Sequence, residues 1–151
     1  MKIQQLYDKC IKLPFGKWIF GKLVCAYVPY FSNIKPKVEY INNGEVRISL
    51  KQRRHVQNHI KTVNIIALCN LCEMTMGMAA ETAIPNNLRW IPSGMKTKYI
   101  KKAKGKLTAY TKITPEIFKV GRIIIPVKVH NEKNELVMTA DIELYITEKG
   151  V

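Results

Sequence analysis

The period of the apolar positions changes several times along the chain, and each change marks a new element. Ile3, Leu6, Cys10 and Leu13 recur at helical spacing until Pro14 stops the pattern. Phe15 to Phe31 is aromatic-rich and carries only Lys17 and Lys22 as charges, which predicts one short helix ending before Pro29. From Lys37 the period falls to two. Val38, Tyr40, Val46, Ile48 and Leu50 alternate with polar residues about Asn42-Asn43-Gly44, predicting a β-hairpin with a tight turn. Between residues 62 and 80 apolar residues lie on all sides, with Thr62 or Asn64 placed to cap, so a helix buried over most of its surface is expected. Pro85-Asn86-Asn87 ends it. Strand composition returns in Met95 to Lys102, Lys104 to Ile113, Val120 to His130 and Leu136 to Glu148, with breaks at Gly105, Thr114-Pro115 and Asn131 to Asn134.

Two strands, a buried helix and four strands, after a helical N-terminal piece, indicate the α+β class. The sheet is antiparallel, because the strands are grouped rather than alternating with helices. A chain of this size buries its central helix by wrapping the sheet around it. We divide it into an N-terminal helical extension, residues 1–35, and a sheet-and-helix domain, residues 36–151.

Composition narrows the classes. With 151 residues, 47% of them apolar and 24% charged, the chain is globular rather than a disordered basic tail. No run approaches the roughly 20 apolar residues of a spanning helix. The opening residues, with Asp8 and scattered lysines, lack the form of a secretory signal, and Cys10, Cys25, Cys69 and Cys72 are too few and too irregular for a disulfide-stapled module. A reduced, cytoplasmic protein is expected. Lys and Arg outnumber Asp and Glu 25 to 11, for a net charge of +14. Such a surplus attracts nucleic acid, anionic membranes, acidic proteins or phosphorylated small molecules.

Chemistry concentrates on the central helix. Glu73 is the only charged side chain between Lys61 and Glu81. Sinking a carboxylate into an apolar helix costs several kcal/mol unless it is paired or protonated, which makes Glu73 a candidate base or nucleophile. The structural alternative is an exposed strip of helix or a lysine partner from the sheet. Asn70, one turn earlier, can reach Glu73. The helix start offers unpaired amides at Ile65 and Ile66 for a developing oxyanion. Ile66 and Glu73 share a face, yet stand roughly 10 Å apart along the axis, too far to serve one carbonyl. A two-fold dimer would bring Glu73 of one copy to the helix start of the other.

From Asn58 to Glu73 the chain resembles the hotdog-fold acyl-CoA thioesterases of the phenylacetate-pathway type. Those carry a histidine and two glycines at the helix start and an acidic residue nine positions after the histidine. Here Asn64, Ile65 and Ile66 occupy the first positions and Glu73 the acidic one, while Asn58-His59-Ile60-Lys61-Thr62-Val63 matches the run that precedes the helix in divergent relatives. The resemblance covers about residues 36 to 148 and implies a hotdog fold, a homodimer with a continuous sheet or a tetramer of paired dimers, and hydrolysis of an acyl-CoA or acyl-carrier-protein thioester. Glu73 would activate water or attack directly, a helix-start amide near Ile66 would hold the oxyanion, and Asn64, Asn58, His59 and Asn70 would contact substrate. An Arg at position 54 disfavours the enoyl-hydratase branch of the fold.

Cys69-x-x-Cys72 stands without a second ligand pair and reads as buried packing rather than a metal or redox site. No phosphate-cradling glycine loop or zinc-protease helix is present, so no cofactor is implied. Lys96 and Lys98, with Lys102, Lys104 and Lys106, would share one strand face and meet the phosphates of coenzyme A or an acidic carrier, or merely solvate a strand edge. No aromatic single-strand motif accompanies them, so no specific nucleic acid is expected. Two other functions stay open. One is a non-catalytic acyl-CoA binder or sensor on the same fold; the other is a basic nucleic-acid or membrane-surface binder, with the N-terminal aromatics in peripheral membrane contact.

Overall fold

The computed structural model describes residues 3–150; positions 1, 2 and 151 of the two expected segments lie outside the described residues. Helices α1 (Ile3–Cys10) and α2 (Gly16–Tyr27) are followed by a 3-10 helix (Pro29–Ile34), then β1 (Lys37–Asn42) and β2 (Glu45–Lys51). A second short 3-10 turn leads into α3 (Ile65–Ala83), and β3 (Leu88–Tyr99), β4 (Lys106–Lys112), β5 (Gly121–His130) and β6 (Leu136–Glu148) complete the chain. Every strand pairing is antiparallel, in the order β1-β2-β4-β5-β6-β3.

The sheet curls around α3, whose Leu68, Leu71, Met74, Met76, Ala79 and Ala80 are fully enclosed. Inward positions alternate down each strand: Val46, Ile48 and Leu50 on β2, Leu107 and Ala109 on β4, Ile125, Val127 and Val129 on β5, and Met138 through Ile146 on β6. This is the expected α+β hotdog arrangement, a single helix in a wrap of antiparallel sheet.

Local signals account for the corners. Asn43 and Gly44 both take positive φ (38° and 90°), as a two-residue hairpin turn requires. Gly44 is also pinned: its N–H donates to Thr82 Oγ1 (3.0 Å) and its carbonyl accepts from the Ile113 amide (3.1 Å). The hairpin tip is thereby fastened to the last turn of α3 and the end of β4. Between β4 and β5 the ladder is short, with three residue pairs from Thr108↔His130 to Tyr110↔Lys128. Beyond them Pro126 has no N–H to offer, and Thr111 Oγ1 donates to its carbonyl instead (2.7 Å).

The N-terminal helices pack on the same core. Tyr7 and Phe20 meet edge to face at 5.2 Å, and both are buried with Val24, Phe31 and Ile34. Gln4 Oε1 accepts from the Asn43 amide (2.9 Å) and Lys17 Nζ donates to the Glu39 carbonyl (2.6 Å), tying α1 and α2 to the first hairpin. Among the described residues, no helix is long and apolar enough to cross a membrane.

β3 departs from expectation. It begins at Leu88 rather than Met95 and ends at Tyr99, before the lysine run is complete. It is an edge strand, and every residue from Arg89 to Tyr99 is exposed or half-buried.

Candidate active site at the start of the central helix

Backbone and side-chain bonds hold the approach to α3 from both sides. Asn58 Oδ1 accepts from the amides of Ile60 (3.2 Å) and Thr62 (3.0 Å), while its Nδ2 donates to Thr62 Oγ1 (2.8 Å). These bonds fold residues 58–62 into a tight turn with Lys61 at φ 57°. The Val63 amide donates to the Ala103 carbonyl (2.8 Å) and that of Asn64 to the Val56 carbonyl (2.7 Å). Asn58 therefore shapes the loop; its side chain is spent on that task. His59, expected as a substrate contact, sits exposed at the tip of this turn.

Asn64 caps the helix. Its backbone is extended (φ −63°, ψ 139°) and its Oδ1 accepts from the Ile66 amide at 2.9 Å. The amide assigned from sequence to an oxyanion is thus already bonded. The correction has a simple cause: an Asn at the cap satisfies one of the orphan donors that a glycine-rich start leaves free. With Oδ1 occupied, Nδ2 is the donor that Asn64 has left. The first-turn amide of Ile65 finds no acceptor among the described residues.

A cavity of about 190 Å³ opens beside this cap, lined by Tyr30, Asn33, His55, Gln57, Asn64 and Asn70 among others. Asn70 is 6% exposed. Its Nδ2 donates a long 3.4 Å bond to the Tyr30 carbonyl, not to Glu73 as the spacing suggests, and its Oδ1 has no partner. A buried acceptor without a donor costs about 1–3 kcal/mol, so this oxygen is set to receive an N–H or O–H from a guest or a water. Arg53 stiffens the wall by donating from Nη2 to the Ile34 carbonyl (2.7 Å). His55, not singled out from sequence, reaches the cavity where His59 does not. Its only sequence signal is a titratable ring in the basic link between β2 and α3.

Glu73 is exposed in the single chain, contrary to a carboxylate sunk in the core. It lies on the one open strip of α3, two turns after Ile66, itself 61% exposed. Farther along that strip the Trp90 ring covers Gly77, and Trp90 Nε1 donates to Glu81 Oε1 (2.8 Å). The chain thus turns back after α3 and lays the exposed edge strand β3 beside the open strip. Ile66, Ile91 and Met95 are exposed apolar side chains on these two elements.

The lysine run does not form a common face. Lys96 and Lys98 lie on β3, paired across to Asp141 and Thr139, but Lys102 and Lys104 fall in the connection to β4. Lys101 binds Glu135 (2.6 Å) and Lys106 binds Glu39 (2.8 Å). Cys69 is half-buried and Cys72 fully buried; desolvation raises both thiols, Cys72 far above its usual value. Among the described residues no group of three or more His, Cys, Asp or Glu could hold a metal.

Residues 16–146 match the family described as a domain of unknown function, DUF4442. The chain belongs to the DUF4442 family. The match starts at Gly16 and so takes in α2. Among solved structures, the DUF4442 chain is similar to the protein solved as genomics APC5556, with 30% identity and a TM-score of 0.86 over 97% of this chain and 99% of that one. It also superposes on PA5026 from Pseudomonas aeruginosa, a protein of unknown function described as a probable thioesterase (18% identity, TM-score 0.77, 91% and 97% covered). A third neighbour is thioesterase HI1161 from Haemophilus influenzae (12% identity, TM-score 0.69, 79% and 82% covered). The last two likenesses concern the fold. No curated protein matches the sequence.

Proposed function

We propose that this DUF4442 protein hydrolyses acyl thioesters, presented on coenzyme A or an acyl-carrier protein in the cytoplasm, in sites completed by a second copy of the chain. The observation that carries the reading is the placement of Glu73. Its carboxylate is exposed on the open strip of a helix otherwise enclosed by sheet, two turns from a capped start that still offers a donor, whereas Glu81 farther along is bonded to Trp90 Nε1. Two neighbours of the same fold are described as a thioesterase and a probable thioesterase, which supports the chemistry; the phenylacetate-pathway type is the finer assignment we favour.

The edge strand supports the dimer. The twelve residues of β3, paired with β6 on one side only and bearing exposed Ile91 and Met95, are a template for a second copy. Two-fold pairing of β3 edges would carry Glu73 of one protomer toward the start of the partner's central helix and remove its carboxylate from water.

In that setting the thioester carbonyl accepts from Nδ2 of Asn64 and the amide of Ile65. The Ile66 amide anchors Asn64 rather than meeting the oxyanion. Glu73 takes a proton from water as the water oxygen attacks the carbonyl carbon. Collapse of the tetrahedral intermediate breaks the C–S bond, and the leaving sulfur takes the proton held by Glu73, giving a free thiol and a carboxylic acid and restoring the Glu73 carboxylate. Asn70 Oδ1 accepts from an N–H of the substrate's carrier arm.

A second reading, an acyl-thioester binder without turnover, draws on the side chains of Ile65 and Ile66 at the helix start and on the occupied Ile66 amide. Thiol release from a panel of acyl-CoAs decides between them. Turnover by the wild type, reduced at least about 100-fold in Glu73→Gln with unchanged melting, supports hydrolysis. Tight binding without release supports the binder.

A further inference from the structure

Apart from Lys17 and Lys22, helix α2 is rich in apolar residues, yet only one side of it is covered. Gly16, Phe20, Gly21 and Val24 face the core. Trp18, Leu23 and Tyr27 of the helix are exposed, and the α1–α2 turn adds Leu13 and Phe15. Phe15 is 83% exposed and Trp18 64%. Phe15 also stands in the left-handed region (φ 60°), an uncommon conformation for an aromatic residue, and this turn holds its ring away from the body.

The charges of this segment are predominantly positive. Within residues 3–35, Lys9, Lys12, Lys17, Lys22 and Lys35 face a single carboxylate, Asp8. Lys22 Nζ lies over the Trp18 ring, 5.5 Å from its centre. Exposed aromatic rings set among lysines are the composition of a surface that enters the headgroup layer of a bilayer.

We infer that the α1–α2 turn and the outer side of α2 form a docking surface for anionic membranes, with Phe15 and Trp18 entering the acyl boundary and Lys12 and Lys22 meeting lipid phosphates. Charge complementarity selects this occupant. A second copy seated on the patch would bring the lysines of both chains together, with only Asp8 from each to offset them. The connection to the proposed site is direct: α2 runs into the 3-10 helix whose Tyr30 walls the cavity beside Asn64 and Asn70. The inference does not depend on thioester chemistry.

Flotation of the full-length protein with extruded vesicles tests it, using phosphatidylcholine alone or with about a third phosphatidylglycerol. Binding to the anionic vesicles only, weakened by salt, is expected. Lys12→Gln and Lys22→Gln should each weaken binding about fivefold. Phe15→Asn, which suits the left-handed backbone and the helix cap, and Trp18→Gln should each weaken it about tenfold or more with melting unchanged. Trp18 emission should shift to the blue on binding, and Trp18→Phe should lose that shift while still binding. Failure of the wild type to float with anionic vesicles overturns the proposal, as does binding indifferent to Phe15 and Trp18. A fall in oligomer size in Phe15→Asn also overturns it, since the patch would then be a contact between copies.

Discussion

The side-chain oxygen of Asn64 accepts from the Ile66 amide at 2.9 Å, so the residue that caps the central helix also lines the cavity with an amide nitrogen to spare. The two roles separate by substitution. Asn64→Ala should lower stability by about 1 kcal/mol in urea unfolding, whereas Asn64→Asp should keep the cap and most of the stability. Thioester turnover should fall in both, because neither variant has an Nδ2 donor. Full activity in Asn64→Asp would remove that nitrogen from the mechanism.

Shared sites make a complementation prediction. Glu73→Gln and Asn64→Leu each damage one half of every site in a homodimer. In a chain-exchanged mixture, the hybrid dimer keeps one site with both halves intact. Equal mixing should therefore restore about a quarter of wild-type turnover, half of the dimers having one of their two sites whole. No recovery after verified exchange would place both residues in a single-chain site.

Gly44 admits no side chain. At φ 90° an L-residue is strained, and a Cβ there would collide with the carbonyl oxygen of Ile113. Gly44→Ala should cost about 2 kcal/mol or more by chemical denaturation. Thr82→Val, which removes the acceptor of the Gly44 amide along with the hydroxyl's own bonds to the Met78 and Ala79 carbonyls, should cost about 1 kcal/mol.

Acid stability should depend on Glu39. Partial burial raises its carboxyl, but hydrogen bonds from Lys106 and Ser49 and the charges of Lys106 and Lys37 outweigh this, and the group ends below its ordinary value of 4.5. A depressed folded value stabilises the protein above the unfolded value, and that contribution disappears as pH falls through the folded one. Lys106→Gln should therefore raise the Glu39 midpoint in an NMR titration. The stability difference from wild type should be present near neutrality and shrink below about pH 4.

Where burial imposes a period, the elements were legible in the chain. The hairpin about Asn43-Gly44, the helix after Asn64 and the strand from Leu136 to Glu148 all have one face or surface enclosed. The first half of β3 was not legible, because Arg89 to Tyr99 is largely exposed on both faces and Pro92 and Gly94 bracket a register shift. Glu73 shows the other limit. A lone charge in an apolar helix marks either a carboxylate forced into the core or the one strip left open, and both leave the same pattern. Asn58 and Asn64 were legible as polar positions near the site, but the pattern could not tell that one is occupied in holding a turn and the other in capping a helix.

The short ladder between β4 and β5 gives the wrap a seam. Two leaves of three strands meet there through three residue pairs and the bond from Thr111 to the Pro126 carbonyl. Amide exchange should be quickest along that line, and a sleeve around a helix parts most readily where its stitching is thinnest. Room for a bulkier guest would come from easing the seam, with the hydrophobic spine left in place.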